Sequence, residues 1–147
     1  SDAIPAHLLT KQAFEMYFEH LREDGILCVH TSNRFVDLPK VVAALADKLN
    51  LKHLRGHDNA PHNDKNRRMR GHYTSEWVMV AKKQEYLAHL SGDTKFLDEY
   101  EADLRRRKIG FEKYWQPVTP DPRYVWTDDY YNLMSVIRFG FRRQTED

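Results

Sequence analysis

The feature that most constrains the fold is a short apolar run, Ile26–His30, between two segments with helical periodicity. The segment before it can begin at Thr10, a good helix cap, and predicts a helix over residues 10–23. The segment after it has a proline in its first turn, where no amide donor is missed, and predicts a helix over 38–50. An apolar run of this length is typical of a strand that is buried on both faces of a sheet. The order helix, strand, helix therefore predicts a parallel α/β layer.

The later part of the chain predicts two further strands, over 51–55 and 75–81, joined by a long polar stretch. Residues 56–73 show no hydrophobic period, and a connection without a helix favours an antiparallel pair over a crossover. A helical pattern follows over 84–107, and a segment over 115–147 contains several prolines near its start. We expect one domain over residues 1–147, of α/β class, with about three strands and flanking helices.

Composition excludes several classes of function. The formal net charge is +1 over 147 residues, which gives no support to a nucleic-acid partner. Two short basic runs, 65–70 and 105–108, lack the interleaved aromatic residues of a single-strand binding platform. No apolar stretch approaches the ~20 residues that span a bilayer, and no secretory signal is visible. We therefore expect a soluble, cytoplasmic domain in which Cys28, the only cysteine, is a buried free thiol.

The first ten residues, S-D-A-I-P-A-H-L-L-T, have the pattern of a loop that follows a buried strand. In open α/β sheets such loops bind ligands. The strand that would precede this loop is not in the sequence, and neither is a glycine-rich turn of the G-x-G-x-x-G or G-x-x-x-x-G-K-[ST] type. We interpret the chain as the C-terminal part of a larger protein.

Three segments carry a family likeness: residues 2–10, residues 29–34 (V-H-T-S-N-R) and residues 126–133 (W-T-D-D-Y-Y-N-L). In this order they resemble the spermidine synthase-like proteins, and in particular the bacterial branch in which such a domain often follows a multi-pass membrane region. The resemblance implies the C-terminal half of a Rossmann-like, class I methyltransferase-type sheet. It is also compatible with a membrane region elsewhere in the parent protein.

The resemblance implies a transferase that moves an aminopropyl or related group to a small-molecule amine. The donor would be an adenosyl sulfonium, either decarboxylated S-adenosylmethionine or S-adenosylmethionine. The nucleoside-binding half would lie upstream, so the chain alone should bind no cofactor and should be inactive. The alternative is a non-catalytic module that keeps the methyltransferase-type shape for binding or interaction.

The resemblance also singles out candidate site residues. Asp2 would match the second aspartate of the loop that closes over donor and amine, and it is the candidate catalytic residue; a frayed terminus is the alternative. A cationic amine needs carboxylates and aromatic faces around it, and one amine must lose a proton to attack. Asp128 and Asp129 offer that mix together with Trp126 and Tyr130. The alternative for the two aspartates is a turn or the cap of a helix.

Polar side chains also follow the run Ile26–His30 at its carboxyl end, where open sheets bind ligands. Ser32 and Asn33 are candidate substrate-binding residues there, unless they only form the turn. His7 is a further candidate for the same pocket, with a structural histidine as the alternative. The histidines and aspartates of the stretch 56–73 match no metal-ligand spacing, so no metal site is predicted.

A strand at 26–30 without its upstream neighbour would have an open, apolar edge. Such an edge is a template for pairing with another chain. We therefore expect homo-oligomers that form through this edge.

Overall fold

The computed structural model describes residues 6–33, 35–58, 75–91 and 115–137. Its strands are β1 (Ile26–His30), β2 (Lys52–Asp58), β3 (Ser75–Ala81) and β4 (Trp115–Gln116). Its α-helices are α1 (Lys11–His20), α2 (Leu38–Lys48) and the single turn α3 (Ala88–Ser91). Short 3-10 helices lie at Ala6–Leu8, Gln84–Leu87, Pro122–Tyr124 and Leu133–Val136. No helix in these ranges is both long and apolar enough to cross a membrane.

The four strands form one antiparallel sheet in the order β1-β3-β2-β4, so the domain is of α/β class. β3 lies between β1 and β2 and is antiparallel to both, which makes β1 and β2 parallel to each other. The predicted antiparallel pairing of the second and third strands is confirmed. The expectation of three strands was wrong by one, because the two-residue β4 is too short to show any periodic pattern.

The core lies between one face of the sheet and the helices α1 and α2. Phe14 and Phe18 of α1 are buried there, as the spacing of its apolar residues predicted. The alternate β3 residues Val78 and Val80 face them from the sheet, as the period of two requires. The other members of this cluster are Leu9, Val36, Leu38, Val41, Val42, Leu45, Ala46, Trp126 and Val136.

The opposite face of the sheet has a much smaller cluster, formed by Leu54, Ala81 and Leu87. Trp115 packs against this cluster and lies directly over Gly56 of β2. A Cβ at position 56 would stand 2.8 Å from the indole ring, so only glycine lets Trp115 approach this closely.

Two expectations about burial are corrected. β1 is an edge strand whose residues alternate between half-buried and exposed, so it is not buried on both faces. Leu27 and Val29 pack against the core, whereas Cys28 is exposed and is not the buried thiol that the apolar run suggested. Trp77 is 37% exposed on the opposite face of β3.

Several element boundaries also differ from expectation. β1 and β3 begin and end where the sequence indicated, but β2 extends to Asp58, beyond the expected 51–55. α1 ends at His20, before the expected residue 23, and its C-cap Leu21 is extended. Of the helix expected over 84–107, the described part is a 3-10 turn and α3, and residues 92–107 lie outside the described residues.

α2 begins as expected, with Pro39 in its first turn. Asp37 stands at the N-cap position but makes no side-chain cap bond; instead its carboxylate pairs with Lys40 at 3.2 Å. At the other end Asn50 adopts a positive φ of 56°, which ends the helix and turns the chain towards β2.

Candidate functional site

Several elements meet at the end of the sheet where β1 and β2 terminate, which we call the carboxyl edge. The two strands run parallel, so both end there. α1 runs in the opposite direction and begins there, because its last residue His20 and its C-cap Leu21 lie beside Leu27 at the start of β1. The C-terminal segment crosses the same edge, since Val136 O accepts a bond from Asp37 N at 2.7 Å. Open α/β sheets bind ligands at the carboxyl ends of parallel strands.

A buried carboxylate organises this edge. Glu76 of β3 faces the core, and its side chain is only 3% exposed. Its Oε1 accepts hydrogen bonds from Nε of Arg55 at 2.8 Å and from Nη2 of the same guanidinium. The same oxygen lies 3.0 Å from Nδ1 of His57. His57 is directly opposite Glu76 in the register and Arg55 is two residues earlier, so all three side chains share one face. We call Arg55, His57 and Glu76 the Glu76 cluster.

The contact with Glu76 orients the ring of His57. An ionised carboxylate only accepts hydrogen bonds, so Nδ1 donates to Glu76 when it carries a proton; Nη2 of Arg55 lies 3.4 Å from the same nitrogen. Among the described residues no group bonds to Nε2, and the side chain is 30% exposed. An imidazole that is held by a carboxylate at one nitrogen and open at the other can accept a proton from a ligand.

The neighbouring backbone is tied to this cluster by the residues that follow β1. Thr31 N donates to Glu76 O at 2.8 Å, and Glu76 N donates to Oγ of Ser32 at 2.7 Å. The Thr31 hydroxyl is fully buried and has no hydrogen-bond partner in the described part of the chain. A buried polar group without a partner is uncommon in folded proteins.

Asn33 organises the turn from β1 to α2. Its Oδ1 accepts bonds from Phe35 N at 2.8 Å and Val36 N at 2.9 Å. Ser32 and Asn33 thus both stabilise the carboxyl edge locally, and their role towards a substrate stays a prediction. On the opposite face, the exposed His30 ring stacks against Trp77 with centroids 4.6 Å apart.

Asp128 joins the C-terminal segment to the start of α1. Oγ1 of Thr10 donates to Oδ1 of Asp128 at 2.7 Å and accepts from Ala13 N at 3.2 Å, as a helix cap. Asp128 N donates to Oε1 of Gln12 at 3.2 Å, and Lys11 N donates to Trp126 O at 2.8 Å. Oδ2 of Asp128 has no partner among the residues described, so half of this carboxylate is available.

The other candidate site residues lie in different parts of the structure, and only Trp126 is close to the Thr10–Asp128 hydrogen bond. Trp126 is fully buried in the core, and Asp129 and Tyr130 are exposed in a turn that the Thr127–Tyr130 bridge closes. His7 is exposed in the 3-10 turn before α1. Asp2 lies outside the described residues. The structure therefore brings Trp126 and Asp128 to the start of α1.

Sequence reasoning missed the Glu76 cluster. A signal was available, since Glu76 interrupts an otherwise apolar strand at a core-facing position. Arg55 and His57 also share a face through their two-residue spacing, but their strand was expected to end at residue 55. In the described ranges no group of three or more histidine, cysteine, aspartate or glutamate side chains could hold a metal ion.

Comparison of the chain with models of known protein families, with curated proteins and with solved structures gives no match.

Proposed function

We propose that this chain is the C-terminal part of a spermidine synthase-like transferase domain, which moves an aminopropyl or related group from an adenosyl sulfonium to an amine. The observation that carries the proposal is the order of the elements. α1, β1, α2 and β2 are followed by a long connection and then by the antiparallel β3. That succession is the one implied by the resemblance of segments 2–10, 29–34 and 126–133.

The chemistry of the carboxyl edge supports the same proposal. The amine nitrogen forms a bond to the transferred carbon while the bond from that carbon to the sulfonium sulfur breaks, which leaves a neutral thioether. The attacking nitrogen also gives up one proton, which needs an acceptor within hydrogen-bond reach. His57 can accept that proton at Nε2, because Glu76 holds its Nδ1. Asp2 would belong to the loop that closes over the reactants.

The distal ammonium of a diamine needs a negative group to bind. Oδ2 of Asp128 can supply one carboxylate oxygen, and Asp129 with the exposed Tyr130 ring can supply another anionic and aromatic contact. Ser32, Asn33 and His7 would line the same edge. The adenosyl group would bind to the upstream half of the domain.

Calorimetric titration tests the proposal. The chain and an N-terminally longer form that includes the upstream strands are each titrated with methylthioadenosine and with putrescine. We expect binding by the longer form alone, because the nucleoside-binding turn would lie upstream. Absence of binding by both forms, when both are folded, overturns the proposal and favours a non-catalytic interaction module.

A matched set of variants locates the amine site in the longer form. Asp128→Asn keeps Oδ1 for the Thr10 hydroxyl but removes the charge, so we expect about 10- to 100-fold weaker putrescine binding with unchanged folding. Asp47→Asn removes an exposed carboxylate on α2 and should leave the affinity unchanged. Equal affinities in all three proteins would exclude Asp128 from the site.

A further inference from the structure

Three side chains that can bind a metal ion lie together on the face of the sheet opposite the main core. Cys28 of β1 is directly opposite Met79 of β3 in the register, and His30 is directly opposite Trp77. Residues that are directly opposite share a face, and so do residues two apart on one strand. All four side chains are therefore on this face. We call Cys28, His30 and Met79 the soft-donor group.

The backbone register places these donors within reach of one ion. Thr31 donates its amide to the opposite residue of β3, and paired residues alternate, so Cys28–Met79 and His30–Trp77 are non-hydrogen-bonded pairs. The Cα atoms of such pairs are about 4.5 Å apart, and their side chains approach closely. The His30 and Trp77 ring centroids are 4.6 Å apart, as this kind of pair requires. Cys28 thus has a thioether across the ladder and an imidazole about 7 Å along its own strand.

The three donors are available to a ligand. Cys28 and His30 are exposed, and Met79 is half-buried. In the part of the chain that the structure describes, none of the three side chains makes a hydrogen bond or an ion pair, and His30 only stacks on Trp77. The thiol cannot be consumed by a disulfide within the chain, because Cys28 is its only cysteine. A methionine side chain has several rotatable bonds, so its sulfur can turn towards the thiol.

The composition of the group identifies the ion. The next residues across the sheet are Leu54 opposite Met79 and Gly56 opposite Trp77, so these two rows of the sheet offer no oxygen ligand. Mg²⁺ and Ca²⁺ need oxygen ligands, and zinc takes a tetrahedral set of thiolates, imidazoles and carboxylates. Thiolate and thioether sulfurs together favour Cu(I), and imidazole is also a good copper ligand.

We propose that Cys28, Met79 and His30 bind one Cu(I) ion through Sγ, Sδ and a ring nitrogen. The thiol gives up its proton to solvent when the bond from sulfur to copper forms, because the thiolate is the ligand. Trp77 holds the His30 ring beside the ion by stacking. The site depends on the pairing of β1 with β3 alone, and not on any neighbour at the other edge of β1. It also goes beyond the proposed function and does not rest on it.

Carbon-13 NMR of the methionine methyl groups tests the proposal in the unmodified chain, under reducing and oxygen-free conditions. Ag(I) is the probe, because it is a soft monovalent ion that is not oxidised. We expect one equivalent of Ag(I) to shift the Met79 resonance and to leave those of Met16 and Met134 in place. Met16 is 51% exposed and Met134 is 67% exposed, so unspecific binding to thioethers would shift these two first. Zn²⁺ at the same concentration should not shift the Met79 resonance.

Cu(I) affinity, measured by competition with a chromophoric Cu(I) chelator, tests the individual donors. Met79→Leu removes the sulfur and conserves the volume, and His30→Phe keeps a ring on Trp77 but removes both nitrogens. Loss of an outer-shell partner already weakens metal binding 10- to 100-fold, so we expect each variant to bind Cu(I) at least about tenfold more weakly. Met16→Leu is the matched control and should leave the affinity unchanged.

The inference is overturned if Ag(I) shifts Met79 no earlier than Met16 and Met134. It is equally overturned if Met79→Leu and His30→Phe bind Cu(I) as tightly as the unmodified chain, because the ion would then be held by the thiol alone or elsewhere. Circular dichroism of each variant shows that the fold is retained.

Discussion

Thr10 connects two parts of the chain that are 118 residues apart in sequence. Its hydroxyl accepts from Ala13 N as the cap of α1 and donates to Asp128, and the side chain is fully buried. Thr10→Val keeps the shape but removes both bonds, so we expect a loss of about 1–2 kcal/mol in the free energy of unfolding. Urea denaturation followed by circular dichroism measures it.

Thr10→Ser is the matched control, because it keeps the hydroxyl and should lose much less stability. If the valine and serine variants unfold at the same urea concentration, the hydroxyl contributes nothing and the segment around Asp128 is held by other contacts.

Asp121 is the residue whose ionisation the structure changes most clearly. Side-chain hydrogen bonds from Arg123, together with one from its backbone amide, lower the pKa of Asp121 to about 2. A lowered pKa in the folded state stabilises the fold above the ordinary pKa of an aspartate, and this contribution is lost as the pH falls through about 2. The pair is exposed to solvent, so its effect on stability is small.

Carbon-13 NMR of the Asp121 carboxyl group tests this shift. We expect a titration midpoint near 2 in the unmodified chain. In Arg123→Gln the midpoint should move upward, towards the usual range of an aspartate. An identical midpoint in both proteins would show that Arg123 is not the cause.

At the scale of elements, β4 depends on one glycine. Gly56 pairs with Trp115, whose ring occupies the space that a Cβ would need. Gly56→Ala should therefore displace the indole ring and weaken the pairing of β2 with β4. Because overpacking destabilises a fold, we expect the free energy of unfolding to fall by about 1–3 kcal/mol. Chemical denaturation of the variant measures this loss.

A double-mutant cycle separates the steric clash from a backbone effect. In a Trp115→Ala background the added methyl group contacts no ring, so Gly56→Ala should lower the free energy of unfolding by less. If Gly56→Ala lowers the free energy of unfolding by the same amount in that background, the destabilisation comes from the backbone of β2 and not from a clash with Trp115.

Elements with a strong local pattern could be predicted, and those set by contacts between distant residues could not. β1, β3 and the start of α2 follow from apolar runs and a well-placed proline. β4 has two residues and exists because Trp115 packs over Gly56. The exposure of Cys28 could not be predicted either, because an apolar run does not show whether a second strand lies beside it.

At the scale of the whole molecule, Trp126 holds the C-terminal segment in the core. It is fully buried among residues of α1, α2 and β3, while its Nε1 has no partner in the described ranges.

Trp126→Ala should lower the free energy of unfolding by about 3–5 kcal/mol, because it leaves a large cavity. Trp126→Phe fills most of the volume and removes an unsatisfied donor, so we expect a loss below about 1.5 kcal/mol. Thermal and urea unfolding measure both.

Equal losses in the two variants would contradict this account, because they would mean that the indole N–H matters more than the packed volume.

The α/β class could be predicted from the succession of patterns, whereas the composition of the carboxyl edge could only partly be predicted. Ser32 and Asn33 follow the end of β1 within three residues, so their position could be predicted. Glu76 and His57 meet only because β3 lies between β1 and β2, and no local pattern determines strand order. The use of Asp128 as a partner for Thr10 is equally a property of the folded chain.

The tie between Thr10 and Asp128 also has a consequence for synthesis on the ribosome. At about 5–20 residues per second, Asp128 is made roughly 6–24 s after Thr10. A ten-residue helix is marginal by itself in water, and during that interval α1 lacks both this bond and the backbone bond from Lys11 N to Trp126 O. The contacts of α1 are therefore complete only after residue 128 has been made.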